Sequence, residues 1–130
     1  MRPPDLVVRK SEFVLELRSG GAVERFPVAI GSNPDGQDKR APGDCRTPEG
    51  EFEIESVEDS SGWDLDGRLV YGPFFLRIAC PPWEGIGVHG TDEPESVKAK
   101  ATRGCIRMRN EDLVRVVAKV GIGTKILIVP

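Results

Sequence analysis

Apolar positions along the chain come in brief segments, broken at short intervals by glycine and proline, a spacing that predicts many short strands. Glu12 to Arg18 and Ala22 to Ile30 lie on either side of Ser19-Gly20-Gly21 and predict a hairpin. In residues 51–57, EFEIESV, strict alternation sets Phe52 and Ile54 against Glu51, Glu53 and Glu55, the pattern of a half-buried strand. Leu69 to Tyr71, Phe74 to Ile78, Ile86 to His89, Ile106 to Met108 and Lys125 to Val129 supply further short strands. One segment has helical period instead. It starts at Asn110, an N-cap type residue, carries Glu111 and Asp112 in its first turn and ends with Lys119 before Gly121. Its stripe of Leu113, Val116, Val117 and Val120 predicts one face packed on the sheet. Asn33 to Gly50 reads as a long surface loop, either bordering a site or serving as a plain connector.

Composition narrows the chemistry. At 130 residues the chain is expected to form a single domain, residues 1–130, large enough to hold a core without staples. A net charge of −3 argues against wholesale binding to nucleic acid or to an anionic membrane. No apolar run approaches the roughly 18 residues of a membrane span, and Met1 to Lys10 lacks the apolar stretch of a secretory signal. The single histidine excludes zinc sites built on two or three imidazoles. No metal and no cofactor are expected. The three cysteines, at 45, 80 and 105, form no CxxC pair.

The chemistry-bearing segment is Ile86 to Asn110, IGVHGTDEPESVKAKATRGCIRMRN. His89 ends one predicted strand and Cys105 precedes another, positions from which a rigid backbone can hold side chains over a cleft. A thiol of ordinary pKa is only a few per cent thiolate at neutral pH, and a neighbouring imidazole can accept its proton and later protonate a leaving amine. Such acid–base help is worth about 10²- to 10⁴-fold in rate. Gly104 lets the backbone pass close to a developing oxyanion, where each amide donor contributes about 3 kcal/mol. A buried inert cysteine and a hydrogen-bonded structural histidine account for these two residues equally well. Between Lys98 and Arg109 lie Lys98, Lys100, Arg103, Arg107 and Arg109 with no acid, a patch suited to an anionic ligand or simply a solvated loop.

Taken together, IGVHGT, then TRGCIRM, then an apolar helix and GIGTKILIV closely resemble the catalytic domain of the L,D-transpeptidases, the YkuD or ErfK/YbiS/YcfS/YnhG family. RTPEGEFEI resembles that family's T-P-x-G-x-F-x-I strand, and YGPFFLRI the segment before its HGT strand. The resemblance covers most of the chain. It implies a mainly β fold of mixed sheets curled around a cleft, with one packed helix. It makes Cys105 the nucleophile and His89 the base and acid, with a backbone carbonyl near Gly90 orienting the imidazole. Gly104 and the Cys105 amide match the oxyanion region, and Arg107 is expected to order the site or meet a substrate carboxylate. Thr91, Thr102 and Arg103 are expected at the substrate. Where the family usually has Ser-His before Gly-Cys, this chain has Thr102-Arg103, which leaves His89 as the one imidazole.

The implied reaction is attack on the bond between a diamino acid and terminal D-Ala in a tetrapeptide stem of peptidoglycan, a thioester, and transfer to an amine of a second stem as a 3-3 cross-link. Water as acceptor gives an L,D-carboxypeptidase instead, and a non-catalytic wall-binding module is the third reading. The resemblance places such a protein in the periplasm or otherwise outside the cytoplasm, and a monomer is expected. Cys45 and Cys80 either pair or stay buried and inert.

Overall fold

The computed structural model describes residues 5–130. Among these, nine strands form one sheet: β1 Asp5–Arg9, β2 Val14–Ser19, β3 Ala22–Gly31, β4 Gly50–Asp59, β5 Phe74–Ala79, β6 Gly87–His89, β7 Lys100–Thr102, β8 Ile106–Met108 and β9 Lys125–Val129. The order is β2-β1-β9-β4-β5-β6-β8-β3-β7, and a further β2–β3 pairing curls the sheet into a barrel-like fold. The fold is mainly β with one helix, α1, Asn110–Val117. The sheet is mixed, because β1–β9, β6–β8 and β3–β7 pair in parallel among antiparallel neighbours.

The predicted hairpin is present as β2–β3, turning at Gly20 and Gly21, both at positive φ. Two central residues in that region match the right-handed twist of the flanking strands. Its first strand starts at Val14, since residues 10–12 form a 3-10 turn. In β4 the alternation places Ile54 in the core at 1 % exposure. Leu6, Leu15, Leu76, Val88, Ile106, Met108, Leu113 and Ile126 fill the same interior. Burial of each such side chain is worth about 1.5–3 kcal/mol, which is how strands of three residues survive inside a closed sheet.

Several expectations shift. Leu69 to Tyr71 is a turn rather than a strand, since the Tyr71 carbonyl accepts from the Gly90 N–H and the Gly72 carbonyl from Ser60 Oγ. Strand β1, not expected from the sequence, pairs antiparallel with β2 and in parallel with β9 at the other end of the chain. Strand β7 is three residues laid beside β3 where the Ile30–Gly31 register shifts. Helix α1 ends at Val117, and its N-cap residue is Arg109, with no side-chain capping bond. Asn110 has other work, described below.

Residues 33–49 form a loop held by charged hydrogen bonds instead of a ladder. Asp44 accepts from the Lys39 ammonium, from the Arg46 side chain and from the backbone N–H groups of Arg40, Ala41 and Arg46. Lys10, 2 % exposed, donates to the carbonyls of Gln37 and Thr47 and to Glu49. The loop borders the site: the Arg46 carbonyl lies where a side chain on Gly104 would go. Replacing Lys10 by Met strands two carbonyls and a carboxylate, so Lys10→Met is expected to lose about 2–4 kcal/mol in urea denaturation. An unchanged midpoint would remove Lys10 from this role.

Candidate active site

Strands β6 and β8 run side by side in parallel, with Val88 opposite Ile106 and His89 opposite Arg107. Side chains alternate along a strand, so Val88 and Ile106 enter the core while His89, Arg107 and the residue before β8, Cys105, share the other face. There they line one cleft of about 540 Å³ with Trp63, Tyr71, Phe75 and Arg103. Cys105 is half-buried, and its thiol donates to the Gly85 carbonyl at 3.5 Å. A second cavity of about 390 Å³, lined by Lys39, Trp83 and Glu84 among others, also reaches Cys105.

His89 is 4 % exposed. Its Nδ1–H donates to the Gly90 carbonyl at 2.6 Å, which sets the neutral tautomer and leaves Nε2 as an acceptor. Phe75, its direct partner across β5–β6, stacks on the ring at 5.7 Å and 6°. Tyr71 meets it edge-on at 5.1 Å, and Trp63 packs on both aromatics. Gly87 makes room for this enclosure, because a Cβ there would sit 2.4 Å from the Phe75 ring. Burial in this aromatic box lowers the imidazole pKa from 6.5 to about 4; the Gly90 hydrogen bond opposes that shift and the Arg107 charge adds to it. Burial likewise pushes the Cys105 thiol up, against a backbone hydrogen bond with Gly87 and the charges of Arg107, Arg77 and Lys39. At neutral pH the pair is therefore an uncharged thiol and an uncharged imidazole.

The Gly90 peptide is itself held from two sides. Its N–H donates to the Tyr71 carbonyl, and the next N–H, that of Thr91, donates to Asn110 Oδ1 at 2.8 Å. Asn110 Oδ1 lies 2.1 Å from where a Cβ on Gly90 would stand and 2.5 Å from one on Gly72, so three backbone segments meet at this point. Read as a helix cap, Asn110 is in fact the tie between α1 and the turn after His89.

The other expected residues fall as follows. Thr102, buried, donates its hydroxyl to the Cys105 carbonyl at 2.7 Å and accepts the Gly104 N–H at 3.1 Å, clamping the loop that presents Cys105. Gly104 stands at φ +137°, in the region that favours glycine. Thr91 is buried, with its hydroxyl accepting the Glu93 N–H inside the turn. Arg107 donates to Ser96 Oγ at 2.9 Å, while its buried Nε has no partner. Arg103 is exposed at the rim. Of the basic run, Lys100 lies elsewhere, bonded to the Pro34 carbonyl. Cys45 and Cys80 carry free thiols, and burial raises that of Cys80 to about 11. No group of three or more His, Cys, Asp and Glu side chains is disposed to hold a metal among the described residues.

The sequence does not mark Trp63, Tyr71 or Phe75 as site residues, and it offers Asn110 only as a helix cap. The signal for Phe75 was its place in a predicted strand neighbouring that of His89; the register that faces the two rings is tertiary. The stretch carrying Trp63 and Arg68 folds over the cleft, tied by Arg68 to Asp92 and Glu93 beyond His89.

A family model described as the L,D-transpeptidase catalytic domain matches residues 3–128. The chain is 30 % identical over 108 residues to a protein of Bacillus licheniformis named as L,D-transpeptidase YkuD, covering 83 % of this chain and 54 % of that one. It is 31 % identical over 106 residues to its Bacillus subtilis namesake, covering 82 % and 53 %. The chain thus spans about half the length of the curated relatives it matches. In fold it is similar to an L,D-transpeptidase from Mycobacterium smegmatis, with a TM-score of 0.74, 19 % identity and coverage of 98 % of this chain and 58 % of that one. A helical cell shape determining protein from Campylobacter jejuni superposes with a TM-score of 0.72 at 21 % identity, covering 97 % and 47 %.

The single imidazole makes the electrostatics directly measurable. Its NMR titration is expected at a midpoint near pH 4. Because the folded pKa lies below the unfolded one, the unfolded state takes up the proton first. The contribution to stability is full above pH 6.5 and is lost as pH falls through about 4. The Nδ1–H resonance, sheltered in the native protein, is expected to disappear into solvent exchange in Asn110→Ala. Its persistence there would show that Asn110 does not hold the Gly90 peptide.

Proposed function

Since the chain belongs to the L,D-transpeptidase catalytic-domain family, matched over residues 3–128, we propose that it is a cysteine acyltransferase acting on stem peptides of peptidoglycan outside the cytoplasm. The observation that carries this reading is His89 Nδ1–H bound to Gly90, with Nε2 left as an acceptor in the cleft that Cys105 also lines.

The donor is a tetrapeptide stem. Cys105 Sγ attacks the carbonyl carbon of the bond between the third residue, a diamino acid, and terminal D-Ala, and its proton passes to His89 Nε2. The negative charge that develops on the carbonyl oxygen is met by the Cys105 amide. In this conformation the Gly104 N–H is bonded to Thr102, whose hydroxyl keeps the loop in shape. The tetrahedral adduct collapses, the C–N bond breaks, and the imidazolium returns the proton to the departing amine of D-Ala. A thioester remains. The side-chain amine of a second stem then attacks it, loses its proton through His89 to Sγ, and leaves a 3-3 cross-link and the free thiol. Arg107, which lines the cleft, supplies a charge-assisted donor for a stem carboxylate.

An uncharged pair sets the timing. A half-buried thiol whose pKa is raised forms little thiolate in advance, so proton transfer accompanies attack. The enclosure that lowers the imidazole pKa keeps its basic form available across neutral pH.

The test is incubation with a disaccharide tetrapeptide, with mass spectrometry of protein and products. D-Ala release, an acyl adduct on Cys105 and a cross-linked dimer are expected; a tripeptide without dimer would make water the acceptor. Cys105→Ala is expected to lose at least about 10³-fold in activity, and His89→Gln about 10²- to 10⁴-fold. If Cys105→Ala matches the wild type, the proposal is wrong. The acid limb of kcat/KM is expected near pH 4; a limb at the ordinary imidazole value would mean that a solvated histidine does the work.

A further inference from the structure

Four guanidinium groups line the cleft: Arg68, Arg77, Arg103 and Arg107. Two are already neutralised. Arg68 pairs with Asp92 and Glu93, and Arg77 makes a two-point contact with Glu58 at 2.7 and 3.2 Å. Arg107, assigned above, has a hydroxyl partner but no carboxylate among the described residues. Arg103 has neither a hydrogen bond nor an ion pair among the described residues. It also borders both cavities that meet at Cys105, two positions away along the chain. Arginine brings a permanent charge and a planar fork of donors to this position.

A carboxylate is the ligand that such a fork matches, through two parallel charge-assisted bonds. In the proposed acyl donor the reacting carbonyl belongs to the third residue. The side chain of that residue branches from the carbon next to the carbonyl that Cys105 attacks, two positions from Arg103 along the chain. Resting on that donor assignment, we infer that Arg103 is a specificity residue for the free distal carboxylate of a diamino-dicarboxylic acid at the third stem position. Stems amidated at that carboxylate, or carrying a lysine-like diamine without it, are the disfavoured substrates. Because Arg103 is exposed, water and salt screen the contact, and the selectivity it confers is about tenfold rather than thousandfold.

The experiment compares three disaccharide tetrapeptides alike except at the third residue: diaminopimelic acid with its distal carboxylate free, the same residue amidated, and lysine. D-Ala release gives kcat/KM for each. The free-carboxylate stem is expected to lead by about tenfold, mainly through KM, and the lead should shrink in about 0.5 M salt. It should fall towards one in Arg103→Gln and in Arg103→His, and survive in part in Arg103→Lys. A purely steric role for the side chain would leave the salt dependence flat. Equal turnover of free and amidated stems by the wild type, or a preference undiminished in Arg103→Gln, overturns the inference while leaving the acyltransferase reading intact. Failure to release D-Ala from any stem, with Cys105 unmodified, overturns that reading and this inference together.

Discussion

One hydrogen bond governs what the cleft can do: the donation from His89 Nδ1–H to the Gly90 carbonyl at 2.6 Å. It decides which ring nitrogen is protonated, and so leaves the other a lone pair. No third side chain performs this task, and a backbone carbonyl is only as well oriented as the peptide that carries it. The surrounding structure is built to hold that peptide. Tyr71 takes the Gly90 N–H, Asn110 takes that of Thr91, and the absence of side chains on Gly72 and Gly90 lets these strands of backbone close to contact.

The same enclosure sets the electrostatic character of the pair. Stacking by Phe75 and edge contact by Tyr71 remove water from the imidazole, and burial lowers its pKa to about 4 while raising that of the thiol. Arg107 pulls both groups downward, favouring thiolate and disfavouring imidazolium. Burial is the larger effect at both, so the two stay uncharged. In the proposed reaction the pair depends on Cys105 and His89 facing one cleft, an arrangement the parallel β6–β8 register supports.

Charge around the cleft is sorted rather than accumulated. Glu58, Asp92 and Glu93 absorb Arg77 and Arg68, which hold the walls. Across the second cavity, Asp44 gathers the Lys39 ammonium, the Arg46 side chain and three backbone N–H groups, giving a loop without regular structure a fixed shape. A loop of this kind could not border a site usefully if it were held by composition alone.

Much was legible in the residues. Alternation at Phe52 and Ile54, the Gly-Gly hairpin and the Leu113–Val116 stripe each follow from local stereochemistry, because strand and helix periods write themselves into short windows. The order of the HGT and GCIRM segments, through the family they resemble, singled out His89 and Cys105 as the proposed pair. What escaped was whatever needed a partner distant in the chain. Strand β1 lies between β2 and the far end of the chain, β9, Tyr71 lies in a turn because Gly90 binds its carbonyl, and Asn110 looks like a cap until Thr91 is placed beside it. The sequence by itself determined most element types and, through the family resemblance, the two groups proposed to react, since both depend on side-chain identity and short-range pattern. Only the tertiary structure decided their protonation and which arginines stay unneutralised, because burial and charge pairing are sums over neighbours that the chain brings together by folding.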